Sequence, residues 1–220
     1  MMSITIVCAV MNRSDMLKIS LMSWLKYKEV SRIIVVDWSS SDLSDDFIKF
    51  IYFLDNRIEI KRVDGEDTFH IASAYNLAVS LVDTEYILKL DVDYVLNPYF
   101  NFFDNNRLGP KEFFTGDWRW HSLDNNLGFL KFLNGLLYIK TADFKAVGGY
   151  DERFVGYGYE DTDLYNRLEK HGLTHRFICV KDITVYHNPH SDAKRVENYV
   201  EKDLKKAMSK NMSKHYDERA

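Results

Sequence analysis

The sequence predicts an α/β protein whose central sheet is mostly parallel and covered by helices on both faces. Two observations carry that expectation. Through residue 95, short apolar runs rich in β-branched residues alternate with segments of helical period, the pattern of strand-helix-strand units that pair in parallel. The runs also end in polar side chains, Asn12, Asp37, Asp91 and Asp93, and in open sheets of this kind ligands bind beyond the carboxyl ends of the strands.

Residues 3–10, SITIVCAV, form the first strand, and Met11 to Asp15 reads as a turn with Ser14 as the helix N-cap. Met16, Leu17, Leu21, Trp24 and Leu25 then recur at helical spacing over 15–28. Strand 32–36 ends in Asp37, and a Ser/Asp cluster leads into a helix over 44–54. Strand 58–63, helix 68–82 and the run YILKLDVDYV, residues 86–95, complete the alternation. After Pro98 the pattern changes. Residues 99–128, rich in Asn, Asp, Gly and aromatics, read as a functional loop or lid, with Trp118 and Trp120 as candidates for stacking on an acceptor. Residues 129–140 return to strand material, 141–147 form a short helix, 160–171 a longer one, and 176–186 a strand.

The chemistry concentrates at three places. The run up to Leu90 is apolar but for Lys89, and it ends in two carboxylates one residue apart. Ionised carboxylates are costly to bury unless paired or bound to a metal, so Asp91 and Asp93 read as a cation site, with strand alternation turning both to one side and Val92 to the other. Glu160, Asp161 and Asp163 open a helix directly after a Gly-Tyr-Gly-Tyr turn, more acid than a helix cap requires and preceded by glycines that permit close approach of a ligand. The strand over 176–186 delivers His187 and, beyond Pro189, His190; beside a carboxylate pair seeking a cation, His187 reads as a metal ligand.

Composition removes other classes. A formal net charge of −4 argues against a nucleic-acid-binding face, and no apolar run approaches the length of a membrane span. Cys8 and Cys179 lie in apolar stretches far apart; with no signal peptide, they read as buried thiols of a reducing, cytoplasmic compartment. From Ser191 onward the chain is charged and amphipathic, which suits packing on the domain or a self-association helix.

These pieces, ITIVCAVMNR, IIVVDWSSSD, the helix with Ala72, Ala74 and Asn76, Asp91-Val92-Asp93, VGGYDERF, GYGYEDTDL and His187, resemble in order and spacing the nucleotide-sugar glycosyltransferases of the GT-A fold. The resemblance is to the inverting family 2 group and its relatives with a β-1,4-galactosyltransferase-like carboxyl half. It covers residues 4–190 and implies a Rossmann-like catalytic domain over 1–190, with 191–220 as a tail. Carried over by position, it implies a nucleotide pocket of Ala9, Asn12 and Arg13 with Asp37 on the uracil or ribose, and it draws Asn76 and Val92 into the donor site. Asp93 becomes the main metal carboxylate. Asp91 takes ribose or sugar hydroxyls, or the metal through water, and His187 completes a site for Mn2+ in preference to Mg2+. Asp161 becomes the catalytic base and Glu160 an acceptor contact. The donor implied is a UDP-sugar and the acceptor a carbohydrate or glycoconjugate. Tyr159, Thr162 and Trp38 depart from the family pattern, so acceptor specificity does not carry over. A retaining transferase on the same fold, a nucleotide-sugar-binding module without catalysis and a nucleotidyltransferase are the competing readings. The intact Asp161 argues against the module, and the turn MNRSD lacks the glycine- and basic-rich phosphate loop of the last.

Overall fold

The computed structural model describes residues 3–117, 133–178 and 184–217. In chain order the elements are β1 (Ile4–Val10), α1 (Ser14–Trp24), β2 (Val30–Trp38), α2 (Asp45–Leu54), β3 (Ile58–Val63), α3 (Ile71–Ser80), β4 (Tyr86–Lys89), β5 (Tyr94–Leu96) and α4 (Phe102–Asn105). They continue with β6 (Glu112–Thr115), β7 (Leu137–Lys140), α5 (Thr141–Ala146), α6 (Glu160–Lys170), β8 (Thr174–Phe177), β9 (Val185–His187), α7 (Asp192–Val196) and α8 (Leu204–Asp217).

Seven strands form one sheet in the order β3-β2-β1-β4-β7-β6-β8. The first four pair in parallel, β7 runs antiparallel between β4 and β6, and β8 lies parallel to β6. Every residue of β1 is buried, which is why its sequence is apolar throughout rather than alternating. Period two nevertheless decides the packing. Ile4, Ile6, Cys8 and Val10 join Leu17, Leu21 and Trp24 of α1 on one face, while Val7 and Ala9 meet Ala72, Ala74 and Ala78 of α3 on the other. The three alanines let α3 lie close on the sheet, and each fully buried Ile or Val contributes about 1.5–3 kcal/mol.

α1 also fixes the segment beyond β4. The Trp24 indole Nε1 donates to the Tyr94 carbonyl at 2.9 Å, and Ser20 Oγ donates to the Val92 carbonyl at 2.7 Å. A cap at Ser14 was expected; the helix instead starts there, and its N-cap Arg13 makes no side-chain cap because its guanidinium reaches to Asp93.

Two expected elements differ. The strand over 176–186 is two strands in different sheets: β8 on the edge of the main sheet, and β9, which pairs antiparallel with β5. Hydrophobicity runs on across the change of partner, so no sequence signal separates them. Within the segment expected as a loop, α4 and β6 are ordered by burying Phe102, Phe103, Phe113 and Thr115. Trp118, Trp120 and Cys179 lie outside the described residues, as does the start of the expected 129–140 strand; of its described part, residues 133–136 form a turn closed by the Leu136 amide on the Leu133 carbonyl at 3.0 Å, and only Leu137–Lys140 is strand.

Candidate active site

β4 ends at Lys89, and the Tyr94 amide donates to the Asp91 carbonyl at 3.0 Å, so Asp91 and Asp93 sit on a turn rather than on a strand. Alternation no longer governs their side chains, which go to different partners. Asp91 Oδ1 lies 2.9 Å from the Lys89 ammonium and accepts from the Tyr75 hydroxyl at 2.8 Å. Asp93, 5% exposed, faces two imidazoles: Oδ2 is 2.9 Å from His190 Nε2 and 3.5 Å from His187 Nε2. Pairing of β5 with β9 sets Tyr94 opposite His187, and the Asn188 amide donates to the Asp93 carbonyl, which brings the histidine segment alongside the turn. Arg13 Nη1 donates to the same carboxylate at 3.4 Å. Burial pushes the Asp93 carboxyl up, but hydrogen bonds from His187 and His190 and the charge of Arg13 outweigh it and hold the group well below the usual carboxylate range.

Asp93, His187 and His190 each offer a ligand atom within 4.8 Å of the others, a mixed nitrogen and oxygen set. Asp93 Oδ1 is buried and has no hydrogen-bond partner among the described residues. A buried carboxylate oxygen left in this way fits a divalent cation, for which one carboxylate and two neutral imidazoles are suitable ligands.

The second acidic group opens α6. Gly156 and Gly158 have φ of 96°, and Tyr159 follows at 70° as N-cap, so the chain turns sharply into Glu160. Asp161 Oδ1 accepts from the Tyr150 hydroxyl at 2.7 Å and lies 3.4 Å from Lys89 Nζ. Burial raises its carboxyl above the ordinary range, against the lowering charge of Lys89. Glu160 is buried, with Oε2 unpartnered among the described residues, and burial followed by the charge of Asp161 pushes its carboxyl up to about 8. Asp163 differs: it pairs with Arg167 at 2.7 Å, and Arg167 also donates to the Val147 and Gly149 carbonyls, which makes it a structural member.

Ala9, Arg13, Asp91, Val92 and Asp93 line one cavity of about 320 Å³ together with Glu160, Asp161 and His187. Three expected residues are not on its walls. Asn12 turns to Asn198 and to Ser41; Asp37 is fully buried, paired with Arg62 at 2.6 Å and accepting from the Ser40 amide. Asn76 braces the backbone of Tyr150 from both sides, accepting from its amide and donating to its carbonyl. Conversely, His190, Tyr157, Arg195, Asn198, Tyr199 and Met208 line the cavity without having been assigned a role. His190 was legible as the third residue after His187, and Tyr157 lies in the Gly-Tyr-Gly-Tyr turn already singled out; the other four belong to a segment whose charge pattern suggested only an amphipathic helix.

The amino-terminal part, residues 5–102, matches the glycosyl transferase family 2 model, and residues 120–191 match the model described as the N-terminal domain of galactosyltransferase. Human β-1,4-galactosyltransferase 5 is 26% identical over 114 residues, as is the mouse protein, a match that takes in 50% of this chain and 28% of the relative. The aligned part thus spans under a third of those curated relatives. Among solved structures, a mutant of Drosophila β-1,4-galactosyltransferase 7 in complex with manganese, UDP-Gal and xylobiose superposes with a TM-score of 0.62 at 17% identity, over 93% of this chain and 77% of that one. A mannosyltransferase from Pyrobaculum calidifontis in complex with GDP-Man and Mn2+ does so at 0.60 and 15%, over 79% and 54%. At such identities these structures establish the fold. With the parallel sheet, the carboxylates at its edge and a family match to each part, the chain has the fold of the GT-A glycosyltransferases, with an amino-terminal part similar to family 2 and a carboxyl part similar to the galactosyltransferases.

Proposed function

We propose that this chain transfers a sugar from a nucleotide-sugar donor, in the first place a UDP-sugar, to an acceptor hydroxyl, with inversion at the anomeric carbon. The observation that carries the reading is one cavity with Asp93, His187 and His190 on one side and the acidic start of α6 on the other. A metal-diphosphate group and a general base are the two parts such a transfer needs.

Asp93, His187 and His190 are the residues to hold a divalent cation, Mn2+ in preference to Mg2+ because two of the ligand atoms are imidazole nitrogens. When bound, the ion supplies neutralisation of the leaving diphosphate. Arg13, on the cavity wall beside Asp93, adds a guanidinium suited to phosphate oxygens. Asp91 lies on the donor side for ribose or sugar hydroxyls. Asp161 takes the proton of the acceptor hydroxyl as that oxygen attacks the anomeric carbon from the face opposite the leaving group, and a single displacement inverts the centre. Glu160, neutral near pH 7, donates a hydrogen bond to an acceptor or sugar oxygen rather than competing for the proton.

No helix among the described residues is long and apolar enough to cross a membrane. The test of the donor site is calorimetric titration of UDP and a panel of UDP-sugars, with and without Mn2+, into wild type and Asp93→Asn. Mn2+-dependent binding that weakens at least about tenfold in the variant supports the reading. Equal affinity in both proteins, or no binding of UDP under either condition, would remove it.

A further inference from the structure

A lysine is among the side chains least often buried completely, yet Lys89, 2% exposed, lies in the middle of the sheet between β1 and β7. Its ammonium is 2.6 Å from the Gly135 carbonyl, 2.9 Å from Asp91 Oδ1 and 3.4 Å from Asp161 Oδ1, and it sits over the Tyr75 ring at 4.4 Å from the centroid. The two carboxylates are treated alike. Asp91 Oδ1 accepts from the Tyr75 hydroxyl at 2.8 Å and Asp161 Oδ1 from the Tyr150 hydroxyl at 2.7 Å, with the two tyrosine rings 5.8 Å apart. One cation therefore stands between two aspartates, each held at the same Oδ1 by a tyrosine hydroxyl.

A buried ionic group of this kind is weak evidence of stabilisation, because an apolar set of equal volume is commonly as stable or more so. Two of its members, Asp91 and Asp161, line the cavity, which points to a use for the charges. Resting on the transferase reading, we propose that Lys89 is a positioning residue of the reaction: its ammonium clamps Oδ1 of both Asp161 and Asp91, holding the acceptor-side base and the donor-side carboxylate in one fixed arrangement. Both contacts to Asp161 fall on Oδ1, which assigns the acceptor proton to Oδ2. The Tyr150 arm is itself held by Asn76, which accepts from the Tyr150 amide at 2.8 Å and donates to its carbonyl at 2.8 Å. This gives Asn76 a place in the site although it does not face the cavity.

Two measurements test the clamp. In Lys89→Met, which keeps the length of the stem, Mn2+ affinity read by electron paramagnetic resonance stays within about threefold of wild type while kcat for transfer falls at least about tenfold. Unchanged kcat, or kcat and Mn2+ affinity falling together, overturns the assignment. Should that variant not fold, Tyr150→Phe removes the other Oδ1 contact at constant charge and is expected to lower kcat about fivefold or more with Mn2+ affinity kept. The second measurement is independent of activity. The Lys89 15Nζ ammonium signal is expected to shift in both Asp91→Asn and Asp161→Asn; a signal that ignores either substitution refutes the clamp whatever the transfer assay gives. Shifts in both variants, together with a wild-type protein that transfers nothing, refute the transferase reading instead.

Discussion

Asp161 and Glu160 are adjacent in sequence and meet different surroundings, although burial raises both carboxyls. Asp161 has Lys89 and the Tyr150 hydroxyl against it; Glu160 is buried with one oxygen unpartnered among the described residues. Asp161→Asn is expected to lower kcat about 10²–10⁴-fold while leaving Mn2+-dependent UDP binding within a few fold, as measured by product formation and titration. Loss of UDP binding in step with kcat would place Asp161 on the donor side. For Glu160 the carboxyl is raised from 4.5 to about 8, so between these values the folded chain holds more protons than the unfolded one. The stability linked to that proton is fully present below pH 4.5 and is lost as pH rises through about 8. Glu160→Gln should therefore gain stability relative to wild type on going from pH 5 to pH 8, read as the difference in Tm at the two values; a constant difference would contradict it. At this scale the sequence exposes residue types and their order well. Asp93, His187 and the Glu160-Asp161 pair are legible because carboxylates and imidazole at strand and helix ends have few structural uses. The partner of each is not, because Asp37 with Arg62 and Asp91 with Lys89 are matched only by the fold.

At the scale of elements, turns decide where those residues point. Gly149 has φ of 69°, and a Cβ there would lie 2.5 Å from Asn76 Oδ1, the oxygen that accepts from the Tyr150 amide. Gly149→Ala adds backbone strain and displaces Asn76, so a loss of at least about 1 kcal/mol in urea unfolding is expected. Unchanged stability would show that the turn does not brace Tyr150. The parallel half of the sheet was readable from alternation alone, since β1, β2 and β3 are long and separated by helices of clear period. The antiparallel half was not. β6 and β9 have four and three residues, too few to show a period, and their partners β7 and β5 are brought to them by the fold. That β5-β9 pair is what sets His187 beside Asp93, so the histidine could be named from sequence but its register could not.

At the scale of the whole molecule, the carboxyl-terminal segment is stitched across the cavity rather than appended to the fold. Arg195 donates to the Tyr157 hydroxyl, Asn198 donates to the Met11 carbonyl and accepts from the Phe69 amide through its own carbonyl, and Asn211 donates to the Gly158 carbonyl. These bonds join the end of β1, the approach to α3 and the Gly-Tyr-Gly-Tyr turn. The segment's amphipathic pattern was visible in sequence; the surface receiving it is assembled from three distant stretches and was not. Asn198→Ala removes the side-chain bonds to Met11 and Asn12 and is expected to cost about 1–3 kcal/mol in thermal or urea unfolding and to weaken UDP binding. A variant with native stability and affinity would show that the segment is passive. The proposed role of Asp93, His187 and His190 is to hold the cation that carries a nucleotide diphosphate. Pulsed electron paramagnetic resonance of Mn2+ added with UDP tests that role. One bound ion is expected, showing couplings to imidazole nitrogen that diminish in His190→Ala, and couplings to UDP phosphorus. Bound Mn2+ without nitrogen coupling, or no Mn2+ retained in the presence of UDP, would contradict it.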